Sequence, residues 1–510
     1  MSLDQKIGQV MMIGFDGTAL TPALRDVITD LHIGGIIHYE RNVESPRALA
    51  QLDADLQNLA RERGMPGLFI SIDQEGGVVA RLKEDKGFTE FPSAMAIAAT
   101  GDAENARRIA QAMADELSAL GINMNLTPDL DVNNNPLNPI IGTRSFGSEP
   151  ARVAEFGVAF LEGLQTRGVA AIGKHFPGHG DTGVDSHIAL PTVPHDRARL
   201  ERVEFVPFRA AMRAQIAGIM SAHITFPAID PTPALAATLS ARVMTGLLRD
   251  EMKYEGLLMT DSVSMGALSQ SGYPVPQAAA TSLQAGADIL LFNDGYAFHR
   301  QAFELIRQRV ERGVIPLARL DQAVRRVLSA KEKFGLLAPP VVEVESAARK
   351  AGTPENKSLS RRVAAQSITL LRDDARLIPI ASDAKIFVVE AGNLGLGKAL
   401  GAPTVMNVAA QPKANDIATI VERGKEGRLM IVATSDAARN RAQVELVNAL
   451  LKARVPTIVV AMRGPYDAIV LPDAPTLLAT YGANPPSAES VAAVLLGRTR
   501  ATGKLPVELK

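Results

Sequence analysis

Eight short apolar runs rich in β-branched residues, separated by amphipathic stretches, occupy the first three hundred residues, near positions 8, 33, 67, 122, 169, 217, 256 and 287. Runs of this length read as buried strands, and segments between them with a 3.6-residue apolar period, such as 46–63, 103–120, 149–167 and 200–214, read as helices. Strictly alternating strands and helices predict parallel strands covered on their outer face, and eight such units predict a TIM-like (β/α)8 barrel. In that architecture functional groups sit where strands end and the following loops begin. Asp73, Asp129, Lys174, His175, His223, Asp261 and Asn293 fall at such ends, with Asp131 just beyond, and are predicted to converge on one mouth.

A helix through 320–333 is expected to close the barrel, which places it within residues 1–338. Residues 339–356 lose periodicity and gather Pro, Ala and charge, so they read as a linker. From 357 to 510 the runs SITLLRD, KIFVVE, RLMIVATSD, TIVVAMRG and TLLATYG alternate with helical stretches at 442–453 and 488–496. They predict a C-terminal α/β sandwich domain with a mostly parallel sheet. The stretch GNLGLGKALG looks like a nucleotide-binding glycine loop but misses the G-x-G-x-x-G spacing and lacks GK[ST], so an unliganded strand-to-helix turn is the reading.

A chain of 510 residues exceeds what one core usually serves, in keeping with two domains. Its net charge of −1 gives no reason to expect nucleic acid or an anionic membrane as a partner. With no cysteine, disulfides, thiolate catalysis and cysteine metal sites are excluded. No apolar run reaches membrane-spanning length, and the N-terminus MSLDQKIGQV lacks the pattern of a signal peptide. A cytoplasmic protein is expected, with a removed leader or lipid anchor left open because the chain begins almost on its first element.

The segment KHFPGHGDTGVDSH, residues 174–187, concentrates three of the chain's eight histidines with two aspartates and a lysine. Its spacing supports three readings. Histidines and carboxylates on a flexible loop could ligate a divalent transition metal. Asp185 and His187, two apart, could point the same way in an extended segment and form a dyad, the carboxylate fixing the imidazole tautomer so that the other nitrogen serves as acid and then base. A structural loop is the third. In GLLMTDSVSMGA, Asp261 ends an apolar strand and reads either as a turn or N-cap aspartate or as a nucleophile. In SIDQEGGVVARL, Asp73 and Arg81 either present a carboxylate and a donor fork to hydroxyl groups or form a structural ion pair. Arg144 in IGTRSFGSEP says little alone.

Together, KHFPGHGDTGVDSH, SIDQEGGVVARL, IGTRSFGSEP and RDEMKYEGLLMTDSVSMGAL, in this order, resemble glycoside hydrolase family 3 and its β-N-acetylhexosaminidase branch. The likeness runs on through VRRVLSAKEKFGLL and TGKLPVEL, near the full length. It implies a retaining mechanism with Asp261 as nucleophile, His187 as acid/base and Asp185 as its partner. Asp73, Arg81, Arg144, Lys174 and His175 match positions that hold a terminal N-acetylglucosamine, and neither metal nor cofactor is implied. One departure is Ser262, where many relatives carry a second acidic residue. The partner implied is a small carbohydrate, and the absence of tryptophan favours one terminal sugar in a polar pocket over an extended stacking platform. Replacing the usual second carboxylate by histidine removes a source of anion repulsion, so phosphorolysis stands as an alternative to hydrolysis. A metal-dependent hydrolase, a non-catalytic sugar-binding protein and a β-glucosidase remain as rivals.

Overall fold

The computed structural model describes residues 1–186, 188–293 and 295–509. Strands β1 (Met11–Ile13), β2 (Gly35–His38), β3 (Phe69–Ile72), β4 (Met124–Asn125), β5 (Ala170–Phe176), β6 (Gly218–Ser221), β7 (Leu257–Thr260) and β8 (Leu290–Phe292) form one parallel sheet. β1 pairs with β8 as well as β2, and a bridge from Met259 to Ile289 joins β7 to the start of β8, so the sheet closes on itself. The TIM-like barrel expected from the alternation is therefore what forms.

Side chains alternate in and out along each strand. Met12, Ile37, Phe69, Ile172, Met220, Leu257, Met259 and Leu291 pack together inside the barrel. Their chain neighbours Ile13, Ile36, Ile70, Ala171, Ile219, Leu258 and Phe292 face outward into the helical shell. The interior is filled rather than hollow, so ligand access is confined to the loops at its ends.

Helices follow their expected signals. Asp102 caps the helix Ala103–Leu120 through the Glu104 amide, the buried stripe Ala106, Ile109, Ala110, Met113, Leu117 and Leu120 faces the core, and Gly121 at φ +99° ends it in the left-handed region. The single helix expected over 200–214 is instead two, Arg197–Arg202 and Phe205–Arg213. Pro207 supplies no N–H to the Val203 carbonyl and its ring excludes that carbonyl, which breaks the helix there. The segment read as a linker also carries a helix, Val344–Lys350, whose Ala347 is fully buried and whose Glu345 pairs with Arg47 of the barrel. Its two-turn length hid it from a periodicity reading.

The second sheet has the order β11–β10–β12–β13–β14–β9, with β9 (Thr369–Asp373), β10 (Ile386–Ala391), β11 (Val405–Val408), β12 (Leu429–Thr434), β13 (Thr457–Ala461) and β14 (Thr476–Ala479). All pairings are parallel except β9 against β14. The sequence reading lacks β11, an edge strand whose residues are largely exposed and form no apolar run. The glycine-rich turn after β10 is occupied by the protein itself: the buried Glu390 carboxylate accepts from the amides of Leu394, Gly395 and Gly397 at 2.6, 2.9 and 2.6 Å. An internal carboxylate thus fills the anion cradle that a phosphate would need.

The C-terminal edge of this sheet faces the barrel mouth. Asn133 donates through Nδ2 to the Tyr466 hydroxyl at 2.6 Å, Ser93 donates to the Tyr481 carbonyl at 2.7 Å, and Arg439 donates to the Pro139 carbonyl at 3.2 Å. Met95, Ala96, Tyr466, Ala479 and Tyr481 form an apolar seam between the domains. Among the described residues no helix is long and apolar enough to cross a membrane.

Candidate active site

The alternation that fills the barrel also aims the functional groups. Tyr39, Asp73, Lys174, Asp261 and Asn293 lie two residues beyond the inward positions 37, 71, 172, 259 and 291, so each continues the inward register past the last packed layer. They line one cavity of about 310 Å³, together with Arg81, Arg144, His175 and Met220. Six residues singled out from sequence, Asp73, Arg81, Arg144, Lys174, His175 and Asp261, are thereby brought together. Consecutive residues Lys174 and His175 both reach the cavity because the register of β5 against β6 shifts between Gly173 and Phe176, which breaks the strict alternation.

Charges in the pocket are arranged in an alternating chain. Lys174 Nζ meets Asp73 Oδ1 at 2.8 Å and Glu75 Oε1 at 2.7 Å. Arg81 reaches Asp73 Oδ2 at 3.2 Å, and Arg144 grips Glu75 bidentately at 2.8 and 2.9 Å. Burial pushes the Asp73 and Glu75 carboxyls up, but the adjacent cations outweigh it, holding Asp73 well below the ordinary carboxylate range and Glu75 at about 2. Burial likewise works against the charge on Lys174, and Asp73 and Glu75 overcome it, so the ammonium is retained. Glu75 escaped the sequence reading as a site residue; its position two after Asp73, in the same inward register, was the available signal.

His175 is held by a different partner. Its Nδ1 lies 2.7 Å from Asp131, whose carboxylate also takes the amides of His175 and His179 at 3.3 and 2.6 Å. Burial, then the Arg144 charge, lowers the His175 pKa to about 3, so the ring is neutral at physiological pH. Burial raises Asp131 to about 7, and burial with the Asp131 charge holds its neighbour Asp129 well above the ordinary carboxylate range. The pair therefore holds a proton, and Asp129 is its natural carrier because Asp131 accepts three donors.

Asp261 follows β7 with its Oδ1 taking the Ser262 amide at 2.7 Å, which orients the carboxylate in the pocket. The Ser262 carbonyl in turn meets His223 Nε2 at 2.8 Å. His223, considered from sequence as a pocket residue, thus lies behind Ser262 as a brace for the strand end.

The loop after β5 is fastened at several points. His179 is buried, with Nδ1 at 2.7 Å from Thr182 Oγ1 and Nε2 at 3.1 Å from Ser186 Oγ. Asn138 donates to the His179 carbonyl at 2.8 Å, and His195 holds Asp181 at 2.6 Å. Gly180 lies against the barrel loop so closely that a Cβ there would stand 1.9 Å from the Val132 carbonyl oxygen. Asp185 is half-buried, its carbonyl accepting from the amides of Ile188 and Ala189, and Ser186 lines the cavity. His187 lies outside the described residues.

Among the described residues of this loop His179 is not available to a metal, since both its ring nitrogens are engaged by hydroxyl groups. Among the described residues the one grouping able to offer an ion three ligand atoms is Asp129, Asp131 and His175, within 4.8 Å of one another. There Asp131 is already shared among three donors, and the Arg144 guanidinium stands 3.8 Å from Asp129. A second cation at that point would meet an existing one.

A closed parallel barrel, a carboxylate at the end of its seventh strand and a buried lattice of carboxylates and cations define an enzyme built for a small polar ligand. Residues 2–330 match the family described as "Glycosyl hydrolase family 3 N terminal domain". The chain is 34% identical over 390 residues to a "Beta-hexosaminidase A" of Pseudoalteromonas piscicida, covering 72% of this chain and 64% of that protein. It is 31% identical over 546 residues to a "Beta-N-acetylglucosaminidase/beta-glucosidase" of Cellulomonas fimi, covering all of this chain and 94% of that one. A family 3 β-N-acetylglucosaminidase structure from Paenibacillus sp. str. FPU-7 superposes with a TM-score of 0.94 at 39% identity, covering 100% and 99% of the two chains. The chain belongs to glycoside hydrolase family 3.

Proposed function

We propose that the protein is a retaining exo-β-N-acetylglucosaminidase acting on terminal β-linked GlcNAc of small oligosaccharides. The observation that carries this reading is one cavity lined both by the Asp261 carboxylate and by the Asp73, Lys174, Arg81 and Arg144 lattice. The names of the Paenibacillus and Pseudoalteromonas relatives support the choice of sugar.

Asp73 and Lys174 are placed to take sugar hydroxyls: an ionised carboxylate accepts, an ammonium donates, and each is already fixed by its partners. Arg144 and the neutral His175 complete the polar wall. Asp261 then attacks the anomeric carbon while the glycosidic oxygen leaves with a proton from His187, the charge of the oxocarbenium-like transition state being met by the carboxylate. His187, turned base, takes a proton from water as water displaces Asp261, and Asp185 orients the imidazole and stabilises its charged form. The buried lattice holds its charges without rearrangement during the reaction, so it stabilises the transition state at no reorganisation cost.

The test compares wild type, Asp261→Ala and His187→Ala on aryl β-GlcNAc and aryl β-glucoside. Asp261→Ala is expected to abolish turnover on both; His187→Ala is expected to slow poorly activated leaving groups far more than activated ones. Equal losses across leaving groups would remove His187 from the acid role. Phosphate as the acceptor in the second step is the second reading, favoured by the cation Arg463 at the edge of the cavity. It predicts GlcNAc-1-phosphate when the enzyme turns over in phosphate buffer.

A further inference from the structure

The second domain contributes to the cavity through Arg463. This residue follows β13 at the C-terminal edge of the second sheet, where open parallel sheets present ligand-binding groups. Asp436, beyond the adjacent β12, holds Arg463 Nε at 3.3 Å and Arg439 Nη2 at 2.9 Å. Two guanidinium groups thus share one carboxylate. Arg439 is committed to the domain contact through Pro139, while Arg463 remains 44% exposed on its side chain.

A narrow cleft opens from the cavity between the domains, and Val78, Pro139, Ile140 and Arg463 line both. Its volume of about 40 Å³ exceeds the 10–15 Å³ or so that one water needs and is far below the 310 Å³ of the main cavity, so it is a side recess that suits a small polar group. The cations within the barrel face partners of their own: Arg144 and Lys174 meet Glu75, and Lys174 and Arg81 meet Asp73. With Asp261 on the same cavity these three cations stand against three carboxylates, whereas at the cleft Arg439 and Arg463 share Asp436 alone, which leaves one positive charge in excess at the edge of the cavity.

We propose that Arg463, positioned by Asp436, makes the domain cleft an oxyanion-binding subsite, selecting a carboxylate on the aglycone or a phosphate acceptor beside the bound sugar. The proposal rests on the GlcNAc glycosidase reading and names the charge of the group that reading leaves open. A guanidinium fork suits both oxyanions, and a half-exposed setting makes its contribution modest and salt-dependent.

The experiment measures kcat/KM for two aryl β-GlcNAc substrates that differ only in a carboxylate or a carboxamide on the aryl ring, with wild type and Arg463→Met. The carboxylate-over-carboxamide ratio is expected to fall about fivefold in the variant, a ratio that is independent of the fraction of enzyme correctly folded. In wild type the same ratio should fall as salt is raised, which tests the charge even if the variant does not fold. In phosphate buffer, the ratio of GlcNAc-1-phosphate to GlcNAc is measured for both enzymes. A fall in the first ratio assigns the subsite to the aglycone, and a fall in the second assigns it to phosphate. If both ratios are the same in the variant as in wild type, or, where the variant does not fold, if the wild-type ratio ignores salt, the proposal is overturned. If wild type turns over neither GlcNAc substrate, the underlying reading fails instead.

Discussion

Asp73 joins two cations at once, Lys174 at 2.8 Å and Arg81 at 3.2 Å, while Lys174 keeps a second partner in Glu75. Asp73→Asn removes the charge but leaves Lys174 paired, so the fold should survive while sugar binding suffers. The expected result is a loss of about 100-fold in kcat/KM on aryl β-GlcNAc with little change in Tm. A large drop in Tm with unchanged kinetics would make Asp73 a structural ion-pair residue. Glu390 offers the complementary case. Its buried carboxylate takes three amides, and an amide side chain in Glu390→Gln turns an NH2 toward donors, costing about 2 kcal/mol. Thermal or denaturant unfolding reads this directly.

At the scale of elements, the loop after β5 depends on close approach. Gly180→Ala would drive a Cβ to within 1.9 Å of the Val132 carbonyl oxygen, so the loop must lift from the barrel. We expect kcat/KM to fall by at least about tenfold while the barrel stays folded, because the loop carries Asp185 and His187 and catalysis tolerates little misplacement. Activity assays beside circular dichroism separate the two effects. The strands themselves were legible from sequence because a barrel strand buried on both faces must be continuously apolar. β11 was not legible, since an exposed edge strand has no such constraint, and Pro207, which splits one helix into two, was visible but overruled by the surrounding periodicity.

Across the whole molecule, one buried charge lies beneath the barrel interior rather than at its mouth. Lys331 is fully buried, bonded to Gln9 Oε1 and the Gly34 carbonyl, both at 2.9 Å, and burial lowers its pKa to about 7 from an ordinary 10.5. Between those values the unfolded chain binds a proton that the folded chain does not, so this group's contribution to stability rises with pH and is lost as pH falls through about 7. Lys331→Met should therefore raise stability relative to wild type most near pH 6 and least near about pH 9.5, as measured by unfolding at both pH values. A difference independent of pH would mean that Lys331 stays charged when buried.

Sequence by itself determined the barrel, the alternation within each strand and the chemical groups placed at strand ends, because local apolar periodicity is written residue by residue. It also marked Asp73, Arg81, Arg144, Lys174, His175 and Asp261, which do meet in one cavity. Only the tertiary structure decided who partners whom. The Asp131–His175 contact spans 44 residues, Arg144–Glu75 spans 69, and Arg463 approaches the cavity from a separate domain. No local signal encodes such pairings, since they arise when ring closure and domain docking bring distant strand ends to the same point. The same closure sets the site's electrostatics, because the pKa of a buried group depends on burial and neighbouring charge that exist only once the chain has folded.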